Sequence, residues 1–358
     1  MSNEWLDMVL AAGIDYNLAS NSPDELDAFV SSSDVQLSDV STYRIYEVTG
    51  ADATAFLQGQ FCNDIAQVSP MQAQITGYCT PKGRLLALPV ITGFDGGYRM
   101  LVPADVSAAF IKRLSMFVMR SDVAIKALED WVAIGVIAPS DTSEMQFESV
   151  GAELGALPVG VLSVASSDNM QLVRWHDDNS GSQPRARYLR LAPVADQMQF
   201  WQANAQAEKR SSAVWRLADI SAGIPSITEG VVEAFVPQMI NLQLINGLSF
   251  TKGCYPGQEI VARMQYLGKL KRHMRVFRLS LDQLQEKPDS ALIPGKALCS
   301  GLDDNAGIVV DAMPLSSRTA LVLAVTKVNT ASGDGFSLAG ASLEPMDMPY
   351  ELPSLEVA

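Results

Sequence analysis

Apolar residues in this chain come in short packets. The longest candidates, such as the run from Trp131 to Ala138, have the length of one buried strand. They fall well short of the roughly 18 apolar residues that a membrane-spanning helix needs. A chain patterned this way must bury many short elements against one another. Its composition agrees: 48% hydrophobic against 18% charged over 358 residues supplies sizeable cores, points to two or three domains and argues against disorder.

The punctuation between packets sorts them into elements. Ser22 reads as an N-cap, with Pro23 at the first helical position and Glu25 as a capping-box partner, ahead of Leu26, Phe29 and Val30. Residues 43–50 read as a strand ended by Gly50. Asp52 is expected to cap a helix that stops at Gln58-Gly59-Gln60, and Asp64 either caps a turn or bonds a ligand. Strand-like runs over 74–92 flank the turn Thr80-Pro81-Lys82-Gly83, with Lys82-Gly83-Arg84 read as solvated. Val106, Phe110, Leu114 and Phe117 recur at helical spacing and predict a helix over 104–119. Strands are expected at 131–138, 160–165, 170–175 and 188–192, a surface loop at 176–184, and helices at 195–208 and 211–219. Short runs at 273–281, 306–312 and 319–328 read as a small all-β module. The fold class is α+β followed by β.

Charge is uneven. The net −14 disfavours wholesale binding to phosphate backbones, yet Arg263, Lys269, Lys271, Arg272, Arg275 and Arg278 sit together without an acid among them. This basic segment reads either as charge at a helix end and on a strand face or as an anion or RNA contact. The N-terminus lacks a basic, apolar leader, so the expectation is a cytoplasmic protein without membrane association. Cys62, Cys79, Cys254 and Cys299 have no CxxC spacing, and His176 and His273 are isolated, so neither a tightly bound metal nor structural disulfides are expected.

The most informative stretch is Lys252-Gly253-Cys254-Tyr255-Pro256-Gly257-Gln258-Glu259. Pro256 fits a first helical position, which would set Cys254 just before a helix N-terminus with Lys252 two residues away. Both features favour a thiolate, whereas Glu259 opposes it. Local physics leaves two readings open: a functional thiol, or a small buried residue in a Gly-flanked turn. Cys62, Cys79 and Cys299 read as packing residues.

This octapeptide matches the K-G-C-Y-x-G-Q-E signature of the YgfZ proteins, relatives of the glycine-cleavage T-protein, an aminomethyltransferase. Residues 49–65, 79–87 and 241–263 resemble other parts of that family. The resemblance implies a T-protein-like multidomain fold with a central folate funnel and a C-terminal β-barrel. It divides the chain into an α+β folate-binding domain (1–122), a middle ferredoxin-like α+β domain (123–208), a signature segment completing the folate-binding body (209–272) and a barrel with an acidic tail (273–358). It further implies a tetrahydrofolate or other folate ligand, and iron–sulfur client enzymes, among them enzymes that modify tRNA. Cys254 takes the place of the cysteine this family needs, assisted by Lys252, with Gly253, Tyr255, Gly257, Gln258, Glu259 and Arg263 completing the signature. Two tryptophans that the family associates with folate map to Tyr43, an aromatic of different size and polarity, and to Trp215. Three functions follow: a folate-binding accessory protein for iron–sulfur maintenance and tRNA modification, a folate-dependent one-carbon transferase, or a protein that contacts tRNA directly.

Overall fold

A computed structural model describes residues 3–14, 23–32, 34–139, 156–167, 169–266, 270–327 and 335–352. The expected cap Ser22, Lys269 of the basic segment and the end of the acidic tail (353–358) lie outside these residues.

The apolar run from Trp131 to Ala138 shows how the core is built. It forms strand Trp131–Pro139, buried over nearly its whole length. Side chains alternate across a strand, so a continuous apolar run requires cover on both faces. Val132, Ile134, Val136 and Ala138 join one apolar cluster with Trp5 and Trp201, whereas Ala133 and Ile137 join another with Trp215. The first cover comes from helix α1 (Asn3–Ala11), which sequence reading missed.

Further helices along the chain are α2 (Pro23–Ser31), α3 (Ala53–Gln58), α4 (Ala104–Ser115), α5 (Val194–Ala203), α6 (Ser212–Ser221) and α7 (Gln258–Tyr266). Trp5 of α1 and Trp201 of α5 meet edge to face at 5.6 Å.

Strand Trp131–Pro139 belongs to a six-stranded sheet. The spatial order is Val164–Ser167, Met170–Arg174, Arg185–Pro193, Trp131–Pro139, Gln36–Asp39 and Glu208–Arg210, antiparallel except for the last pair. A five-stranded antiparallel sheet orders Gln74–Ile75, Val90–Phe94, Gly97–Pro103, Tyr43–Thr49 and Ala124–Ala127. Strands thus cross between segments: Gln36–Asp39 pairs in the first of these sheets, and Ala124–Ala127 in the second.

The C-terminal strands Arg272–Ser280, Ala297–Ser300, Asp303–Pro314, Thr319–Lys327, Ser337–Leu338 and Ala341–Pro345 close into a barrel. Alternation repeats here. Ala320, Val322 and Ala324 fill one apolar cluster, while Leu321, Leu323 and Val325 belong to the large cluster that contains Trp215. The barrel wall is therefore part of the main core. The architecture is mixed α+β with a closed six-stranded barrel.

Several local expectations are corrected. Helix α4 ends at Ser115, leaving Phe117 exposed. The strand expected at 160–165 is Val164–Ser167, and the helix expected over 195–208 stops at Ala203. Asp52 does not cap α3 with its side chain; its carboxylate accepts from the Asp122 N–H at 2.8 Å. Glu25 accepts from the N–H and hydroxyl of Ser211, so it braces the start of α6. The loop 176–184 is not simply a surface insert, because Asp178 is fully buried between Arg185 and Ser221. Among the described residues, no helix is long and apolar enough to cross a membrane.

Candidate functional site: a cavity and a signature loop

Helix α6 carries Trp215, Arg216 and Asp219 toward a cavity of about 360 Å³. Tyr43 and Asp105 supply a second wall, Thr228 and Gly230 a third, and Pro294 and Asp311 of the barrel segment a fourth. The two aromatic residues singled out from the sequence therefore share one cavity.

The position of Trp215 is dictated by a missing side chain. A Cβ on Gly135 would lie 2.2 Å from Trp215 Cε3, so the otherwise apolar strand needs glycine there to admit the indole. Behind the ring, the fully buried Arg187 places its guanidinium 4.7 Å from the indole centroid. Its Nη1 donates to Asp219 Oδ1 at 2.8 Å, and Trp175 Nε1 donates to the same oxygen at 2.8 Å. A buried ion pair holds only when such bonds satisfy it. Burial raises the Asp219 carboxyl above its ordinary value, with Arg187 and Trp175 opposing the shift. Burial, aided by the Asp219 charge, also pushes the Tyr43 phenol up, so it stays neutral.

The other cavity carboxylates are engaged. Asp311 receives the Arg216 guanidinium on both oxygens at 2.8 Å and the Ala312 N–H. Asp105 receives the N–H groups of Val106 and Glu229 at 2.9 Å each. The Arg216–Asp311 pair joins α6 to the barrel across the cavity wall. At the rim, Gly230 packs so closely that a Cβ would lie 2.7 Å from the Pro294 carbonyl oxygen.

The signature loop is arranged differently. Lys252 is buried, and among the described residues no carboxylate pairs with its ammonium; it donates to the carbonyls of Gln58 and Phe61 at 2.5 Å each. Gln58 ends α3, so Lys252 completes that helix's C-terminus, where carbonyls lack partners. Burial lowers its pKa to about 8. Tyr255 is also buried, its ring 5.2 Å from Lys252 Nζ, and burial pushes its phenol far up. Cys254, between them, is exposed. The expectation that Lys252 lends its charge to Cys254 is therefore corrected: that charge serves the carbonyls of the α3 end.

The helix boundary differs too. Pro256 and Gly257 form a turn and α7 begins at Gln258, which removes Cys254 from the helix N-terminus. Gly257 has φ +83°, and a Cβ there would lie 2.5 Å from the Thr80 carbonyl oxygen and 2.6 Å from Gly83 Cα. The Lys82-Gly83-Arg84 turn is thus the platform for the signature rather than a solvated loop, and Arg84 Nη1 anchors it to the Ala234 carbonyl at 2.7 Å. Gly253 faces open space. Gln258 and Glu259 lie in the first turn of α7, and Arg263 is exposed in its last. Asp64 caps a short helical turn by accepting from the Ala66 N–H.

The structure brings Tyr43 and Trp215 together and buries Lys252 with Tyr255. Cys254 is not among the residues lining the cavity. Sequence reading missed Asp219, Arg216, Asp311, Asp105 and Thr228. One signal was present: Asp219 follows Trp215 by one helical turn on an expected helix. The Asp311 contribution arrives only through barrel closure. Among the described residues, no three His, Cys, Asp or Glu side chains converge as a metal site.

Three curated relatives are described as tRNA-modifying protein YgfZ. The chain is 32% identical to the protein from Edwardsiella ictaluri over 241 residues, covering 66% of this chain and 69% of the relative. The protein from Colwellia psychrerythraea is 31% identical over 253 residues, 71% of this chain and 74% of its own. That from Yersinia enterocolitica is 29% identical over 345 residues, 94% and 99% respectively. Among solved structures, the fold is similar to the glycine cleavage system aminomethyltransferase T from Bartonella henselae, with TM-score 0.70 over 96% of each chain at 13% identity. No family model matches the chain.

Proposed function

The chain belongs to the YgfZ family, and from that premise we propose that it is a folate-binding accessory protein supporting tRNA modification and iron–sulfur cluster maintenance. Cys254 is its working thiol, and its clients are iron–sulfur enzymes, among them tRNA-modifying enzymes. One observation carries the folate part of this reading: Tyr43 and Trp215, far apart in sequence, line one cavity with mostly apolar walls. Ligand sites commonly occupy roughly 300–1,000 Å³ with a few placed polar groups, and this cavity has that character.

The residues present fit the ligand. The aromatic walls suit a flat heterocycle. Three carboxylates against two guanidiniums, Arg216 in the lining and Arg187 behind Asp219, disfavour an anion inside, so the glutamate tail of a folate would point to solvent. We also retain the segments 1–122, 123–208, 209–272 and 273–358 as functional divisions, with the folate-binding body formed by the first and third.

In this reading Cys254 meets clients at the surface and does not act on the cavity ligand. Complementation tests it: in a deletion strain, Cys254→Ala should fail to restore iron–sulfur enzyme activity and tRNA thiolation. Full restoration would sink the assignment of the thiol. The transferase alternative would be favoured by aminomethyl transfer to tetrahydrofolate by the purified protein. Direct tRNA contact through the basic segment is less favoured, because the chain as a whole carries a net charge of −14, which opposes binding to phosphate backbones. Salt-sensitive tRNA binding lost on reversing Lys271 and Arg272 would restore it.

A further inference from the structure

Cys62 and Cys79 are both buried, as packing residues would be, but they are also neighbours. Phe61 and Tyr78 form an antiparallel bridge, and the Cys62 N–H donates to the Gly77 carbonyl at 2.9 Å. Side chains alternate across such a ladder. Phe61 and Tyr78 therefore join the cluster of Phe110, whereas Cys62 and Cys79 both enter the main core, where their thiols hydrogen-bond to each other. Gly77 makes room for the pair. A Cβ there would lie 2.9 Å from Cys62 Sγ, and the Gly77 N–H donates to that sulfur at 3.2 Å. The surroundings treat the two sulfurs unequally. Burial pushes the Cys62 thiol up, but the Cys79 thiol, the Gly77 N–H and the Lys252 charge together outweigh it and hold Cys62 below its ordinary value. The bond to Cys62, and then burial, raise Cys79 well above its own. One sulfur is thus prepared to ionise beside another that keeps its proton.

We propose that Cys62 and Cys79 form a reversible dithiol–disulfide site whose oxidant is a peroxide. The Cys62 thiolate attacks one peroxide oxygen. An S–O bond forms, the O–O bond breaks, and the hydroxide released takes up the proton that Cys62 gave up. The resulting sulfenic acid condenses with Cys79. The S–S bond forms, the S–O bond breaks, and the Cys79 proton leaves with the hydroxide as a second water. Two thiols are oxidised by two electrons, and the peroxide is reduced to two waters. The position of the pair gives this step a consequence. Cys62 follows Phe61, whose carbonyl seats Lys252, and Cys79 precedes Thr80, against whose carbonyl Gly257 turns. A disulfide here ties together the two supports of the signature loop and leaves the exposed Cys254 unmodified. This inference depends neither on the cavity ligand nor on the role of Cys254.

Hydrogen peroxide on the purified full chain tests it, in a Cys254→Ala background that removes the exposed competitor. Three cysteines remain there: Cys62, Cys79 and Cys299. Alkylation after denaturation should count a fall from three thiols to one. The intact mass should drop by two hydrogens, and digestion should release a pair of peptides joined through Cys62 and Cys79. Dithiothreitol should restore all three thiols. With Cys79→Ser added, no disulfide can form and dimedone should label Cys62 as a sulfenic acid. With Cys62→Ser added instead, Cys79 should stay unlabelled. Three thiols left after peroxide, a loss that dithiothreitol does not reverse, or dimedone on Cys79 in place of Cys62 would overturn the proposal. So would a bond from either cysteine to Cys254 in the wild-type chain. Should a serine variant fail to fold, the thiol count and peptide map of Cys254→Ala decide alone.

Discussion

The cavity and the signature loop are built in opposite ways. Cavity residues are scattered from Tyr43 to Asp311, yet their side chains converge on one space. Signature residues are consecutive, yet their side chains diverge: Lys252 and Tyr255 turn inward while Cys254 turns to solvent. The difference teaches that a contiguous motif can be mostly scaffold. Lys252 finishes α3, Tyr255 fills the space beneath, and Gly257 permits the turn against Gly83. The motif presents one exposed thiol on a braced loop. The cavity, in contrast, depends on its surroundings: Gly135 for space, Arg187 for backing and the barrel for closure.

If this contrast is right, its largest consequence lies at Trp215. Trp215→Ala should lower unfolding stability by about 3–5 kcal/mol, the usual result of deleting a buried aromatic, and abolish folate binding. A stability change below ~1 kcal/mol in urea denaturation would show that the indole is not held as described. Next comes Lys252→Met, which strips two carbonyls of a charged donor and should cost about 1.5–3 kcal/mol. A neutral result would mean the ammonium contributes nothing to the α3 terminus.

Acid should act on the cavity side rather than on the loop, which has no histidine. His176 sits beside Arg187 and Arg174, and burial first, then those charges, lowers its pKa to about 4. His273 in the barrel is lowered to about 4 by burial and Arg275. The unfolded chain takes these protons first as pH falls below about 6.5, so stability should decline between that value and about 4. Urea midpoints across this range should show the decline, and His176→Gln should flatten it. An unchanged slope in that variant would remove His176 from the account. The smallest effects belong to the exposed signature positions. Cys254→Ala and Gly253→Ala should each stay within about 0.5 kcal/mol of wild type, and a larger shift in either would contradict an open, exposed loop.

Much of the fold was legible because apolar periodicity reports local surroundings. The run Trp131 to Ala138 announced a buried strand, and Val106, Phe110 and Leu114 announced α4. Phe117 misled because its spacing continued the helical pattern after hydrogen bonding had changed to turns. Helix α1 was missed because its partners, Trp201 and the sheet face, lie far along the chain. In the candidate site, the KGCYPGQE segment was legible as a turn before a helix, but the direction of Lys252 depended on where α3 ends. Asp311 could not be placed in the cavity without knowing how the barrel docks, and Gly135 looked like any glycine in a strand. Spacing reports neighbours within an element, whereas these residues act across elements.

The central claim is that the ligand site and the thiol are separate devices on one scaffold. Tetrahydrofolate titration of wild type, Cys254→Ala and Trp215→Leu tests it most directly. The account predicts one binding site, with equal affinity in wild type and Cys254→Ala and a loss of at least about tenfold, or ~1.4 kcal/mol, in Trp215→Leu. Loss of binding in Cys254→Ala, or full binding in Trp215→Leu, would contradict it.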